Sequence, residues 1–143
     1  MKPEITITRV FDADISLVWR AITEKELMKQ WYFDLEEFIP EVGFKFEFKG
    51  GPEDGIQYNH LCEIMEVEFE KKLTYSWKYE GYEGISYVSF LLSESKGKTI
   101  LDFSHSGLSS FPASNPDFGV HNFESGWKHF IINALPQFLS KNI

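Results

Sequence analysis

The residues able to do chemistry are few and spread along the chain. His105 shares an inferred strand face with Leu101 and Phe103. With a reference pKa of about 6.5, such a histidine can hydrogen-bond a ligand or move a proton near neutral pH. It can equally be tied to a backbone group near Gly107 or be exposed at the end of its strand. Hydrolysis through a nucleophile needs Ser or Cys beside a His that a carboxylate orients. Ser104-His105-Ser106 offers only adjacency, because neighbouring strand residues point to opposite faces. There is no Gly-x-Ser-x-Gly elbow and no glycine-rich phosphate loop.

A zinc or iron site needs three or four converging ligands. His60, His121 and His129 have no His-x-x-x-His spacing, so no metal and no cofactor is expected. Cys62 reads as a small buried hydrophobe, modifiable if its thiol faces a cavity. Asp12, Asp14, Glu36 and Glu37 read as loop or solvated-face acids. Arg9 is the only charge on its inferred strand face; it pairs with an acid such as Glu124 or anchors an anionic head group. Tyr75, Trp77 and Tyr79 alternate along one strand face. Their polar handles need partners when buried, which suits either a partly polar pocket wall or packing against a helix.

These side chains depend on the elements that carry them. Ile5 to Phe11 alternates with period two and reads as a strand. Asp14 is a candidate N-cap for a helix burying Ile15, Val18, Trp19 and Ile22. Thr23 and Glu26 fit a capping box opening a second short helix that buries Leu27, Met28 and Trp31. Phe44, Phe46 and Phe48 then alternate with charges, as in a half-buried antiparallel strand. A turn is expected over 50–55. The next strand, from Tyr58 to Phe69, slips in phase between Ile64 and Val67, which a bulge would reconcile. Strands follow around Leu73–Tyr79, Val88–Leu92 and Leu101–His105. Leu108–Gly119 reads as a loop.

Val120, Phe123, Trp127, Phe130, Ile131, Ala134, Leu135 and Phe138 form one helical stripe. Pro136 removes a backbone hydrogen bond to the Ile132 carbonyl and should kink the last turns. Gly126, unfavourable in a helix by about 1 kcal/mol, is expected to allow close approach to the sheet. Such a helix must lie on the aromatic face of the sheet.

The chain has 143 residues, which favours one domain spanning all of it. Aromatic residues make up 17%, more than a core of this size needs and in keeping with a ring-lined cavity. A net charge of −8 argues against nucleic acid and anionic membranes as partners. One cysteine excludes an intrachain disulfide. No run approaches the roughly 20 apolar residues of a membrane span, and no signal core opens the chain. The default expectation is a cytoplasmic protein, monomeric or homodimeric.

The order of elements, with Arg9, Phe11, Val18-Trp19, Trp31, Val42-Gly43-Phe44, Leu73-Thr74-Tyr75-Ser76-Trp77, His105, Gly107 and Gly126-Trp127, resembles the Bet v 1-like (START/SRPBCC) superfamily. Within it, the chain is similar to the activator of Hsp90 ATPase homologue 1-like family. The resemblance implies an α+β helix-grip fold: a curved antiparallel sheet around a long C-terminal helix, two short helices after the first strand, and an internal cavity. It implies a hydrophobic, lipid-like or aromatic guest, with no common reaction. The expected cavity is lined by Trp31, Phe44, Phe46, Tyr75, Trp77, Tyr79, Val88, Phe90, Phe103, His105, Trp127 and Ile131, with the 108–119 loop as lid. Two further readings are a cyclase, dehydratase or hydrolase using the same cavity, and a module associated with the chaperone Hsp90.

Overall fold

The computed structural model describes residues 2–51 and 54–142. The turn expected over 50–55 includes residues 52 and 53, which lie outside the described residues. The strands are β1 (Ile5–Phe11), β2 (Lys45–Gly50), β3 (Tyr58–Glu68), β4 (Lys72–Tyr79), β5 (Ser86–Ser95) and β6 (Lys98–Ser106). They form one antiparallel sheet in the order β1-β6-β5-β4-β3-β2. Their period-two pattern sets the faces: Phe46 and Phe48 are buried between exposed Lys45, Glu47 and Lys49. The phase slip in β3 is a register shift between Ile64 and Glu66. It returns Val67 to the inner face opposite Leu73, so the long strand keeps its apolar side inward.

Two helices follow β1: α1 (Ile15–Thr23) and α2 (Lys25–Met28), joined by Glu24. α1 buries Val18, Trp19, Ala21 and Ile22. Asp14 occupies its N-cap without a side-chain cap bond. The capping box expected at Thr23 and Glu26 does not form. The Thr23 hydroxyl donates to the Trp19 carbonyl at 2.7 Å, so it is spent inside α1. Glu24 takes the N-cap position of α2, and Glu26 faces Lys29 at 2.8 Å.

The chain ends in a continuous helix of 22 residues. It is built from α3 (Val120–Lys128), a π-helical segment (His129–Ala134) and α4 (Leu135–Lys141). In place of the kink expected at Pro136, the helix carries this widened π-helical segment just ahead of the proline. Proline lacks an N–H and crowds the carbonyl four residues back, and a wider turn relieves both. The apolar stripe faces the sheet through Phe123, Trp127, Ile131, Leu135 and Phe138, all buried, whereas Val120 at its start is exposed. This is the helix-grip arrangement.

Two expectations about the helix change. Gly126 is exposed, and a Cβ built there meets nothing within 4 Å, so it grants no close approach to the sheet. The glycine therefore costs helix propensity without a packing return. Gly126→Ala is expected to stabilise the fold by about 1 kcal/mol, read as a higher urea midpoint with an unchanged slope. Arg9 does not meet Glu124. Glu124 faces Lys128 one turn on at 3.7 Å, and Arg9 makes no ion pair among the described residues. Its Nε is buried without a hydrogen-bond partner among the described residues.

The interior is more solid than one enclosed cavity. Trp127 lies across the sheet with its ring centroid 4.4 Å from Phe103 and 5.7 Å from Trp77. The space beneath is filled by Tyr32, from the segment after α2. Its ring stacks on Trp127 at 5.8 Å, and its hydroxyl bonds that of Tyr75 at 2.7 Å. A ring-walled space remains at one end.

Candidate functional site

A pocket of about 410 Å³ opens where the start of β3 and the end of β4 face α3. The sheet supplies Tyr58, His60, Trp77 and Tyr79; the helix supplies Phe123, Gly126, Trp127 and Phe130. Asp117 and Phe118, in a single 3-10 turn at Pro116–Phe118, form a third side, and Phe33 with Gly50 and Gly51 a fourth. The alternation of β3 and β4 puts the sheet residues on one face, and the register His60↔Tyr79 sets those two side by side. Phe118 stacks on Tyr79 at 4.7 Å, which fastens the 3-10 turn to the sheet. Gly84, at φ +107, lets the β4–β5 loop approach: a Cβ there would lie 2.6 Å from the Phe111 ring and 2.7 Å from the Ser110 carbonyl.

The polar groups of the pocket are held from behind. His60 Nδ1 lies 3.0 Å from the Tyr58 carbonyl and 3.2 Å from the Phe48 carbonyl. Carbonyls only accept, so Nδ1 carries the proton and Nε2 is an acceptor without a partner among the described residues. Burial pulls the His60 pKa down to about 4, which keeps the ring neutral. Trp77 Nε1 donates to the Tyr79 hydroxyl at 2.9 Å. An indole N–H only donates, so the phenol proton of Tyr79 is left free to donate. Burial pushes that phenol's pKa up, so it stays protonated. At the mouth, Tyr58 donates to Asp117 Oδ2 at 2.6 Å and accepts from Asn115 Nδ2 at 3.2 Å. The bond to Asp117 raises the Tyr58 pKa. Asp117 is the only charged residue among the described residues of the lining.

His105 is elsewhere: wholly buried, behind Trp127. Trp127 Nε1 donates to its Nδ1 at 2.9 Å, so the proton sits on Nε2, which donates to Ser86 Oγ at 2.7 Å. Both nitrogens are spent, and burial lowers its pKa to about 3. The two placements expected for it, a backbone tie near Gly107 and an exposed strand end, are replaced by a bond to the long helix.

Of the residues expected to line a cavity, the structure gathers Trp77, Tyr79 and Trp127 around this pocket. Tyr75, Val88, Phe90, Phe103 and Ile131 pack into the core. Trp31 is buried with its indole donating to the Ala21 carbonyl at 2.8 Å. Phe46 packs against Phe38 at 5.1 Å, and Phe44 is half-buried beside the same ring. Both border a wider depression of about 820 Å³, whose lining also holds six charged residues, Glu36, Glu37, Lys45, Glu47, Glu63 and Lys78, and is therefore far more polar than the ring-walled pocket. Cys62 is buried at the edge of this depression, and desolvation pushes its thiol pKa up, which disfavours the thiolate.

Tyr58 and His60 were reachable from the sequence, since carrying the Cys62–Ile64 alternation back two and four residues puts them on the inner face. Phe33 lies in a segment with no period to read. No group of three or more His, Cys, Asp or Glu among the described residues could hold a metal ion. No helix of the described residues is long and apolar enough to cross a membrane.

A curved antiparallel sheet gripping a long C-terminal helix, with a ring-walled pocket at one end, defines a helix-grip domain of the Bet v 1-like kind. The chain belongs to the family described as activator of Hsp90 ATPase homolog 1-like protein, whose model matches residues 12–140. Comparison with curated proteins gives no match. Among solved structures, it is similar to protein MLL2253 from Mesorhizobium loti: 26% identical, TM-score 0.78, covering 97% of this chain and 98% of that one. It also resembles protein Mll3558 from Rhizobium loti, at 17% identity and TM-score 0.81, over 94% of this chain and 95% of that one. A third similar structure is DynU16, a protein of the dynemicin biosynthetic locus, at 22% identity and TM-score 0.76. That match covers 96% of this chain and 47% of DynU16.

Proposed function

We propose that this chain binds a hydrophobic or aromatic small molecule in the pocket between β3, β4 and α3. The observation that carries the reading is a space of about 410 Å³ walled by rings from sheet and helix. That size lies within the range of roughly 300–1,000 Å³ that small-molecule sites occupy. The 108–119 loop acts as lid, since its Phe118 is seated on Tyr79 and closes one side. The likeness to a protein of a biosynthetic locus is in keeping with a small-molecule guest. Chemistry led by His105 gains no support, because its two nitrogens are occupied within the core.

Gly126 supplies the test. It lines the pocket and has open space beyond its Cα, so Gly126→Phe adds bulk at the mouth without displacing the core. The unchanged protein is expected to enhance the fluorescence of N-phenyl-1-naphthylamine, an uncharged apolar probe. Gly126→Phe is expected to lose at least about tenfold in affinity, a loss of about 1.4 kcal/mol, at undiminished stability. Equal binding by the two proteins would remove the pocket from consideration.

A further inference from the structure

We propose that the guest is uncharged and presents a hydrogen-bond donor and an acceptor side by side, the donor meeting His60 Nε2 and the acceptor meeting the Tyr79 hydroxyl. This rests on the reading of the pocket as a binding site. Both groups are fixed from the protein side, which leaves each one defined valence. The two carbonyls that hold His60 Nδ1 leave Nε2 as an acceptor. The Trp77 indole fills the acceptor side of the Tyr79 oxygen and leaves the phenol proton as a donor. The two rings are neighbours, with centroids 4.8 Å apart, so one compact polar group on the guest can address both. A primary amide or a lactam on an aromatic body has that complement. A buried donor and acceptor left unpaired would each be costly, so a guest without them binds more weakly.

Charge selects in the same direction. The described lining holds no Lys or Arg, and its one charge is the Asp117 carboxylate. A carboxylate or phosphate would face that charge and the His60 lone pair, with no cation to pair with and only the neutral donors of Tyr79 and the Asn122 amide to meet it. Its desolvation would go largely uncompensated. The chain's net charge of −8 adds to the exclusion. The low pKa of His60 keeps it from turning into a cation that would welcome an anion at neutral pH.

Equilibrium dialysis at pH 7.5 with three probes of one shape tests this: 2-naphthamide, naphthalene and 2-naphthoate. The amide is expected to bind at least about tenfold tighter than naphthalene, with the carboxylate weakest. Tyr79→Phe and His60→Phe are each expected to cost the amide about tenfold and to leave naphthalene within about twofold. Equal affinity for amide and naphthalene overturns the inference and leaves the apolar pocket standing. Binding of 2-naphthoate as tight as the amide overturns it too. Failure of all three probes overturns the inference together with the pocket reading. The comparison of probes on the unchanged protein decides the matter even where a variant fails to fold.

Discussion

Trp127→Ala is expected to lower unfolding stability by about 3–5 kcal/mol, measured by urea titration at pH 7.5. Three contributions combine. The indole is buried, and its ring meets Phe103, Trp77 and Tyr32 at centroid distances of 4.4, 5.7 and 5.8 Å. Truncation leaves a void that these close-packed rings cannot fill without leaving their own contacts. The indole N–H is also the only partner of His105 Nδ1 among the described residues, so its loss orphans an acceptor in a fully buried ring. Trp127→Phe separates the packing contributions from the hydrogen bond. It keeps most of the apolar contact and removes only the donor, so it should cost about 1–3 kcal/mol. A loss under about 1 kcal/mol for the alanine variant would mean that the indole is a pocket wall and not part of the core.

Stability is expected to fall by about 4 kcal/mol between pH 7.5 and pH 5 through two histidines. Above pH 6.5 both His60 and His105 are neutral whether the chain is folded or unfolded. Below it, the unfolded chain takes up protons at a pKa of about 6.5. The folded chain holds out until about 4 at His60 and about 3 at His105, because burial penalises the charged ring. The unfolded state thus binds more protons in this window, and stability drops with falling pH by about 1.4 kcal/mol per unit for each ring. At pH 5 that is about 2 kcal/mol apiece. Urea titrations at the two pH values measure it, and His60→Gln isolates one ring. The variant should show about half the pH dependence, and an undiminished dependence would contradict the assignment.

The sheet and its faces were legible because period-two alternation is a local signal. Phe44, Phe46 and Phe48 announced β2, and the phase slip between Ile64 and Val67 announced the bulge. The long helix was legible from its stripe. The joint between α1 and α2 was legible in position only, because the Thr23 hydroxyl chose the Trp19 carbonyl over the cap that the spacing offered. The pocket was half legible. Trp77, Tyr79 and Trp127 stood out on periodic elements, but what seals the rest of the interior is Tyr32, whose segment has no pattern. The chemistry of His60 and His105 was not legible at all. Both sit on inner strand faces, and what separates them is whether Nε2 meets Ser86 or open space, which only the cross-strand register decides.

The strand order has a consequence for how the chain comes together. From β2 to β6 each strand pairs with its neighbour in sequence, so those hairpins can zip as they are made. β1 has no such neighbour: Ile5 pairs with His105 and Phe11 with Thr99, and the Glu4 carboxylate receives the amides of Gly107 and Ser109. The Thr8–Asp102 bond across this seam closes a separation of 94 residues. In synthesis β1 precedes its template β6, and loop-closure entropy predicts that its docking comes late in assembly. Until then Ile5, Ile7 and Phe11 stay unpaired with β6, and the nascent chain carries an apolar, pairing-ready ribbon as it waits.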